Sequence, residues 1–214
     1  MTLPYYPAFV DLTGKSCIVV GGGKVAERKV LSLLRSGASV TVISPDLSSP
    51  LRRQREKGAL EHRERNYRKG DLRNAFLVIA ATSDEGVNRR VAEDAPCLVN
   101  VVDNPEISSF IVPSLIRRGP LSIAVSTSGA SPAMAMAMRA EMESLYPKEL
   151  GQFLEFLRGI RKKALKEIGD REIREEFLRW AGSAELLERL REKGLQELKG
   201  LVQERFAKKK RGIA

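Results

Sequence analysis

Cysteine, histidine and long apolar runs are scarce in this 214-residue chain. Its two cysteines, Cys17 and Cys97, are far apart, and His62 is its one histidine. No Cys-x-x-Cys pair and no Cys/His cluster occurs, which argues against a disulfide framework and a zinc site, so no metal ligand is predicted. Both cysteines sit in apolar stretches and are expected as small buried hydrophobes in a reducing cytoplasm. No apolar run approaches the roughly 20 residues of a membrane-spanning helix. The opening MTLPYYPAFVDLTGK has no basic n-region followed by an apolar h-region, so it is not read as a signal peptide. His62 lies in a charged segment and is expected to be a solvated surface side chain. Aromatic and basic residues do not interleave into a platform for stacking nucleic-acid bases.

Positive charge is in surplus: 37 Lys and Arg against 27 Asp and Glu, a net +10. The surplus is spread along the chain, with one basic run at Lys208–Arg211. A diffuse positive field concentrates anionic partners, either nucleic acid or a small polycarboxylate. Hydrophobic residues make up 43%, enough for a packed core.

Strand-like and helix-like segments alternate through the first half. Strands are predicted at Ser16–Gly21, Ser39–Ser44, Leu60–Arg65, Leu77–Ala81 and Cys97–Val102. Helices are predicted at Val25–Ser36, Ser48–Lys57 and Asp84–Asp94. This alternation implies an α/β fold, a Rossmann-type parallel sheet with right-handed crossovers, over residues 1–112. Two further strands, Ser109–Val112 and Leu121–Ser126, are expected to flank a short helix. Ser131-Pro132 is a helix start, with serine at the N-cap and proline at the first helical position, and that helix should run to about Leu145. From 147 to 214 the apolar spacing is helical throughout, giving amphipathic helices at Leu150–Ile168, Asp170–Ala181, Ala184–Leu190 and Leu195–Ala207. Met134, Met138 and Met142 share one helix face, which either packs into the chain's own core or meets another surface.

The glycine loop carries the first chemical signal. Gly21-x-Gly23-x-x-Ala26 satisfies the G-x-G-x-x-G/A dinucleotide pattern, with a strand before it, a helix after it and a second strand beyond. Gly21 makes the tight turn, Gly23 lets the backbone approach a pyrophosphate, and Ala26 allows close helix–strand packing. The second strand ends without an acidic residue. Asp46, after Pro45, either reaches the adenosine ribose or caps the next helix, and the reading leans to NAD over NADP. Thr82 either neighbours the nicotinamide half or caps the following helix. Asn100 either bonds a ligand or closes the sheet end. Asp103-Asn104-Pro105 is good turn chemistry, but a carboxylate at the carboxyl end of a parallel sheet can also act as a general base. Ser126, Thr127, Ser128 and Ser131 either receive substrate carboxylates at a helix N-terminus or only build and cap it.

YPAFVDLTGKSCIVVGGGKVAERKV, VIAATSDEGVNRRV and VNVVDNPEISSFIVPSLIRRGPLSIAVSTSGASPAMA together resemble the precorrin-2 dehydrogenase/sirohydrochlorin ferrochelatase family, the dehydrogenase–chelatase module of siroheme synthase. The resemblance covers residues 4–150 closely and the helical tail loosely. It implies NAD-dependent oxidation of precorrin-2 to sirohydrochlorin in siroheme biosynthesis. In some members it also implies ferrous iron insertion, for which iron would be a substrate. It assigns the catalytic role to Asp103 and cofactor contacts to Lys24, Val25, Pro45 and Asp46, beside the loop glycines Gly21, Gly22 and Gly23 that the dinucleotide pattern already marks as cofactor-binding. It also implies a homodimer formed through residues 113–146, followed by a helical domain over 147–214. No methyltransferase segment follows, so the stand-alone form is expected. Thr127 and Ser128 depart from the family's common Ser-Gly spelling, so no individual role is transferred to them.

A different class stays open on the residues alone: a nucleotide-sensing regulator whose basic helical appendage binds nucleic acid. Against it, charges in the tail alternate in sign, the mark of solvated helix faces, and Asp103 would have no purpose. Neither nucleic acid nor a membrane is expected as a partner.

Overall fold

A computed structural model describes residues 5–211. Five strands form one parallel sheet: β1 (Ser16–Val20), β2 (Ser39–Ile43), β3 (Leu60–Arg63), β4 (Leu77–Ala80) and β5 (Leu98–Val101), in the order β3-β2-β1-β4-β5. The helices α1 (Lys24–Arg35), α2 (Ser49–Glu56) and α3 (Glu85–Asp94) make three of the connections, and residues 64–76 cross from β3 to β4 without a helix. The chain starts in the middle of the sheet and builds outward in both directions. The order therefore reverses between β1 and β4, where a crevice opens at the carboxyl ends of the strands.

The sheet has a core on each face, because alternate residues of each strand point to opposite sides. Cys17 and Val19 of β1 pack with Ala26, Val30 and Leu33 of α1, while Ile18 and Val20 pack with Val91 of α3. Near-continuous apolar runs such as CIVV in β1 and LVIA in β4 follow from burial on both faces. Cys17 is fully buried, and burial pushes its thiol up to about 11, with Cys97 adding to the shift. Cys97 differs from expectation: it precedes β5 at the sheet edge and is partly exposed.

The chain divides into two compact units, one up to Val112 and one from Pro113 onward. In the second, β6 (Ser114–Arg118) and β7 (Leu121–Val125) form an antiparallel hairpin, followed by α4 (Pro132–Leu145), α5 (Glu149–Glu167), α6 (Arg171–Ala181), α7 (Ala184–Lys193) and α8 (Leu195–Lys210).

The hairpin corrects the sequence reading. The expected short helix is strand β6, and the expected strand at Ser109–Val112 is irregular. Arg118 pairs with Leu121, which leaves Gly119-Pro120 as a two-residue loop with Gly119 at φ +57°. A glycine at positive φ in the first loop position is the pattern of a tight hairpin turn, and it joins two five-residue segments too short for stable helices. Residues 108–110 lie beside β5 without becoming a strand. There the hydroxyls of Ser108 and Ser109 take the N–H groups of Val101 and Val99, at 2.9 and 2.8 Å, where a neighbouring strand would have offered carbonyls.

The four last helices share a core of Phe153, Ile160, Phe177, Leu186, Leu198 and Val202. Each such side chain contributes about 1.5–3 kcal/mol when fully buried. The basic run at the end of α8 is engaged within this unit. Lys208 meets Glu204 at 2.8 Å, Lys209 meets Glu176 at 3.1 Å, and Lys210 meets Glu167 at 2.8 Å. On α4 the methionine stripe is not core: Met134 and Met138 are exposed and only Met142 is half-buried. Among the described residues no helix is long and apolar enough to cross a membrane.

Candidate active site

The glycine loop sits where β1 ends and α1 begins. Gly21 adopts φ +118°, a conformation that excludes side chains, and a β-carbon there would collide with the Ala81 carbonyl at the end of β4. A β-carbon on Gly22 would collide with the Asp46 carbonyl, because the turn after β2 passes directly over it. Ser48 N–H donates to the Gly22 carbonyl at 2.8 Å. The middle glycine of the loop, to which the spacing gave no separate task, is thus where the adenosine-side turn docks.

Gly23 differs from both. It is the N-cap of α1 at an ordinary φ of −80°, and a β-carbon there would meet nothing within 4 Å. No side chain caps the helix, so the first-turn N–H groups face open space beside Lys24 and Val25. A helix start with free donors, a glycine at its cap and a lysine beside it fits a pyrophosphate. Glu27 in that first turn would repel such a group, but its carboxylate is held by the Ser48 hydroxyl at 2.7 Å.

A cavity of about 860 Å³ opens from this loop. Its lining brings together Gly21, Gly22, Gly23, Lys24 and Val25 with Pro45 and Asp46 on one side and Thr82 and Asp103 on the other. The volume and the line of donors suit a dinucleotide. At the adenosine side Asp46 is exposed and lies 3.6 Å from Arg52, whose Nε donates to the Leu47 carbonyl at 3.0 Å. Asp46 does not cap α2; Ser48 stands at that N-cap.

Several neighbours were not legible in the sequence. Ser44 is buried, and its hydroxyl donates to the Asp46 carbonyl at 2.6 Å, shaping the turn. His62 is half-buried instead of solvated: its Nε2 donates to the Ser44 carbonyl at 2.9 Å, and its buried Nδ1 has no partner. It is drawn inward because β3 pairs it with Val42, beside the end of β2. Tyr67 lines the cavity and donates to Asp94 at 2.7 Å; burial, and then that bond, push its phenol upward.

Thr82 is fixed by Asn88, a buried residue of α3. Its hydroxyl donates to Asn88 Oδ1 at 2.8 Å, and Asn88 Nδ2 returns a bond to the Thr82 carbonyl at 3.0 Å. The cap of α3 is Asp84, which accepts from Val87 N–H at 3.0 Å. Asn100 is buried, and its amide donates to the Phe110 carbonyl at 3.0 Å; it is not among the residues lining the cavity.

Asp103 is exposed at the cavity rim, in the turn after β5, with φ +60°. Asparagine and aspartate tolerate this left-handed region better than other non-glycine residues, yet it stays unusual and needs support from its surroundings. Lys29 of α1 feels its charge. Burial and then Arg28 push the Lys29 ammonium down, and Asp103 opposes them.

Ser126, Thr127, Ser128 and Ser131 belong to the second unit and form the turn before α4. Ser131 Oγ caps α4 by accepting from Met134 N–H at 3.2 Å. Thr127 Oγ1 accepts from Ser131 N–H at 3.1 Å, Ser126 Oγ accepts from Ser128 N–H at 3.1 Å, and Ser128 sits at φ +51°. Among the described residues no group of three His, Cys, Asp or Glu side chains could hold a metal ion.

Residues 8–114 match the putative NAD(P)-binding family model, and residues 118–145 match the model for the central region of the sirohaem biosynthesis protein. Siroheme synthase of Thioalkalivibrio sulfidiphilus is 43% identical over 82% of this chain, which covers 36% of that protein. Siroheme synthase of Nitrosospira multiformis is 45% identical over 69% of this chain and 33% of its own length. The chain thus spans about a third of the length of these relatives. The solved structure of SirC, a precorrin-2 dehydrogenase, superposes with a TM-score of 0.81 at 26% identity, covering 95% of this chain and all of that one. The reversed strand order, the uncapped helix behind a glycine turn and the match of this half to an NAD(P)-binding model agree with one another. The chain belongs to the putative NAD(P)-binding family, and behind that domain it carries a match to the central region of the sirohaem biosynthesis protein.

Proposed function

We propose that this chain is a cytoplasmic enzyme that oxidises precorrin-2 to sirohydrochlorin, with NAD as hydride acceptor and Asp103 as the acid–base group. The observation that carries it is the single cavity joining the glycine loop to Asp103. Bound NAD supplies the acceptor for the hydride that leaves the tetrapyrrole. The protein's share is to hold the dinucleotide through the α1 N–H groups and Lys24, and to accept the departing proton on the Asp103 carboxylate. SirC and the siroheme synthases support the substrate by their names and likeness.

NAD over NADP is favoured by the adenosine end. Asp46 offers a carboxylate for ribose hydroxyls, and it would repel a 2′-phosphate. Arg52, the cation best placed for a 2′-phosphate, is turned back onto Asp46 and the Leu47 carbonyl. The serine turn before α4 supports a carboxylate-binding role. Ser126 and Ser131 use their oxygens as acceptors, which leaves each hydroxyl proton for a substrate carboxylate. The exposed methionines of α4 support a homodimer formed on that helix. Ferrous iron insertion would draw on Asp103 as well, now removing pyrrole protons.

The test is anaerobic incubation with precorrin-2 and NAD, followed by absorbance, with and without ferrous iron. NADH should appear in step with sirohydrochlorin, and Asp103→Ala should abolish it. Wild-type turnover in that variant would remove Asp103 from the reaction. NADH formation only with other substrates would remove precorrin-2.

A further inference from the structure

We infer that Ser108 is a positioning residue for Asp103, its hydroxyl being the clamp that closes the turn presenting the carboxylate. The inference rests on the proposed role of Asp103. A non-glycine residue at φ +60° keeps that conformation only where its neighbours hold it. The turn between Val101 and Asn104 has one backbone bond across it, Asn104 N–H to the Val101 carbonyl at 3.2 Å. Ser108 Oγ supplies the rest. It accepts from Val101 N–H at 2.9 Å and donates to the Asn104 carbonyl at 2.7 Å. A hydroxyl has one proton, so that short contact takes it in preference to the Val101 carbonyl at 3.4 Å. Residues on both sides of Val102-Asp103 are therefore tied to one oxygen atom, which is anchored in turn by Ser108 N–H on the Pro105 carbonyl at 3.2 Å. Val102 packs against the apolar cluster on the α1 face of the sheet, so the turn is held from below as well.

Ser109 is the internal control. Its hydroxyl accepts from Val99 N–H at 2.8 Å and lies 3.3 Å from the Val99 carbonyl, so it makes the same kind of bond to the same strand. It has no bond to the turn that contains Asp103. If the serine hydroxyls only finished the edge of β5, the two residues would be equivalent. If Ser108 positions Asp103, they differ in turnover and not in stability.

The experiment compares Ser108→Ala, Ser108→Thr, Ser109→Ala and Asp103→Asn in precorrin-2 oxidation, with thermal unfolding measured on each. Ser108→Ala should lower kcat roughly 10- to 100-fold, the scale of a misplaced catalytic group, and leave the KM for the dinucleotide unchanged. Ser108→Thr keeps the hydroxyl and should restore kcat. Ser109→Ala should lose as much thermal stability as Ser108→Ala and keep the wild-type kcat. Should Ser108→Ala not fold, Ser108→Cys, of similar size with a weaker hydrogen-bonding group, takes its place. Wild-type kcat in the Ser108 variant, or an equal loss in the Ser109 variant, overturns the clamp. Asp103→Asn separates the two claims. If it is inactive while Ser108→Ala is normal, only the clamp falls. If it turns over normally, the role of Asp103 falls as well.

Discussion

Gly21 and Gly23 stand two residues apart in one motif, yet the structure separates their tasks, and alanine at each should fail differently. Alanine at Gly21 meets two obstacles. Its φ of +118° is a region L-residues rarely adopt, costing about 1–3 kcal/mol. Its β-carbon would also lie 2.7 Å from the Ala81 carbonyl carbon and nearer still to the oxygen. Relieving that contact means parting β1 from the end of β4, an overpacking cost of about 1–3 kcal/mol more. The sum, about 2–6 kcal/mol, is a large part of the roughly 5–15 kcal/mol that holds a domain together. Alanine at Gly23 meets neither obstacle, since φ is −80° and nothing lies within 4 Å. It should cost only the poorer N-cap, about 0.5–1 kcal/mol. Its methyl group would fill the space proposed for the pyrophosphate, however, so dinucleotide affinity should fall by tenfold or more, about 1.4 kcal/mol. Urea unfolding without ligand and dinucleotide titration of the folded protein read the two effects separately. Gly23→Ala that binds NAD as the wild type does would show that the pyrophosphate does not lie against this helix start. Gly21→Ala with an unchanged unfolding midpoint would refute the packing argument.

Three further outcomes follow from the same geometry. Asp71, with a side chain 8% exposed, accepts two bonds from Arg65, at 2.7 and 2.8 Å, and one from Arg68 N–H at 2.8 Å. Asp71→Ala should cost about 1–3 kcal/mol at neutral pH in urea unfolding, the partner Arg65 being a third exposed. The Arg65 bond foremost holds the Asp71 carboxyl below its ordinary value, so its contribution is present above about pH 4 and is lost as pH falls through the lowered native value. The stability gap between wild type and Asp71→Asn should therefore close in acid, and a gap independent of pH would refute the ion-pair assignment. Asp46→Ser should narrow the preference for NAD over NADP in kcat/KM by roughly tenfold, and an unchanged ratio would place the ribose elsewhere. Met136→Glu with Met138→Glu, two exposed positions on α4, should lower the mass seen by light scattering to that of one chain without lowering the unfolding midpoint of a single chain. A wild type that already has the mass of one chain would remove the proposed homodimer, and a dimeric mass unchanged in the variant would put its contact off this helix.

Sequence periodicity carried most of the elements, because burial on both faces leaves continuous apolar strands and one-sided burial leaves helical stripes. The strands of the sheet, helices α1 to α3, α5 and α6, and the start of α4 at Ser131-Pro132 lie within a residue or two of their predicted limits, while α7 and α8 each run three residues further. The errors fall where local signals compete. Segment 114–118 has no long stripe to mark it as a strand; its partner does so, through the two-residue loop at Gly119-Pro120. Residues 109–112 look like a strand, but serine hydroxyls replace the ladder there.

The chemistry divides the same way. The sequence alone determined that a glycine turn joins a buried strand to a helix, and that an aspartate follows the fifth strand, because both depend on neighbours in the chain. It could not place His62 under the turn after β2, lock Thr82 to Asn88 or tie Asn104 and Val101 to one serine oxygen. Those contacts join residues whose separation in the chain says little about their distance in space. Only closing the sheet, which brings the ends of β1, β2, β4 and β5 to one rim, decides which polar groups meet there.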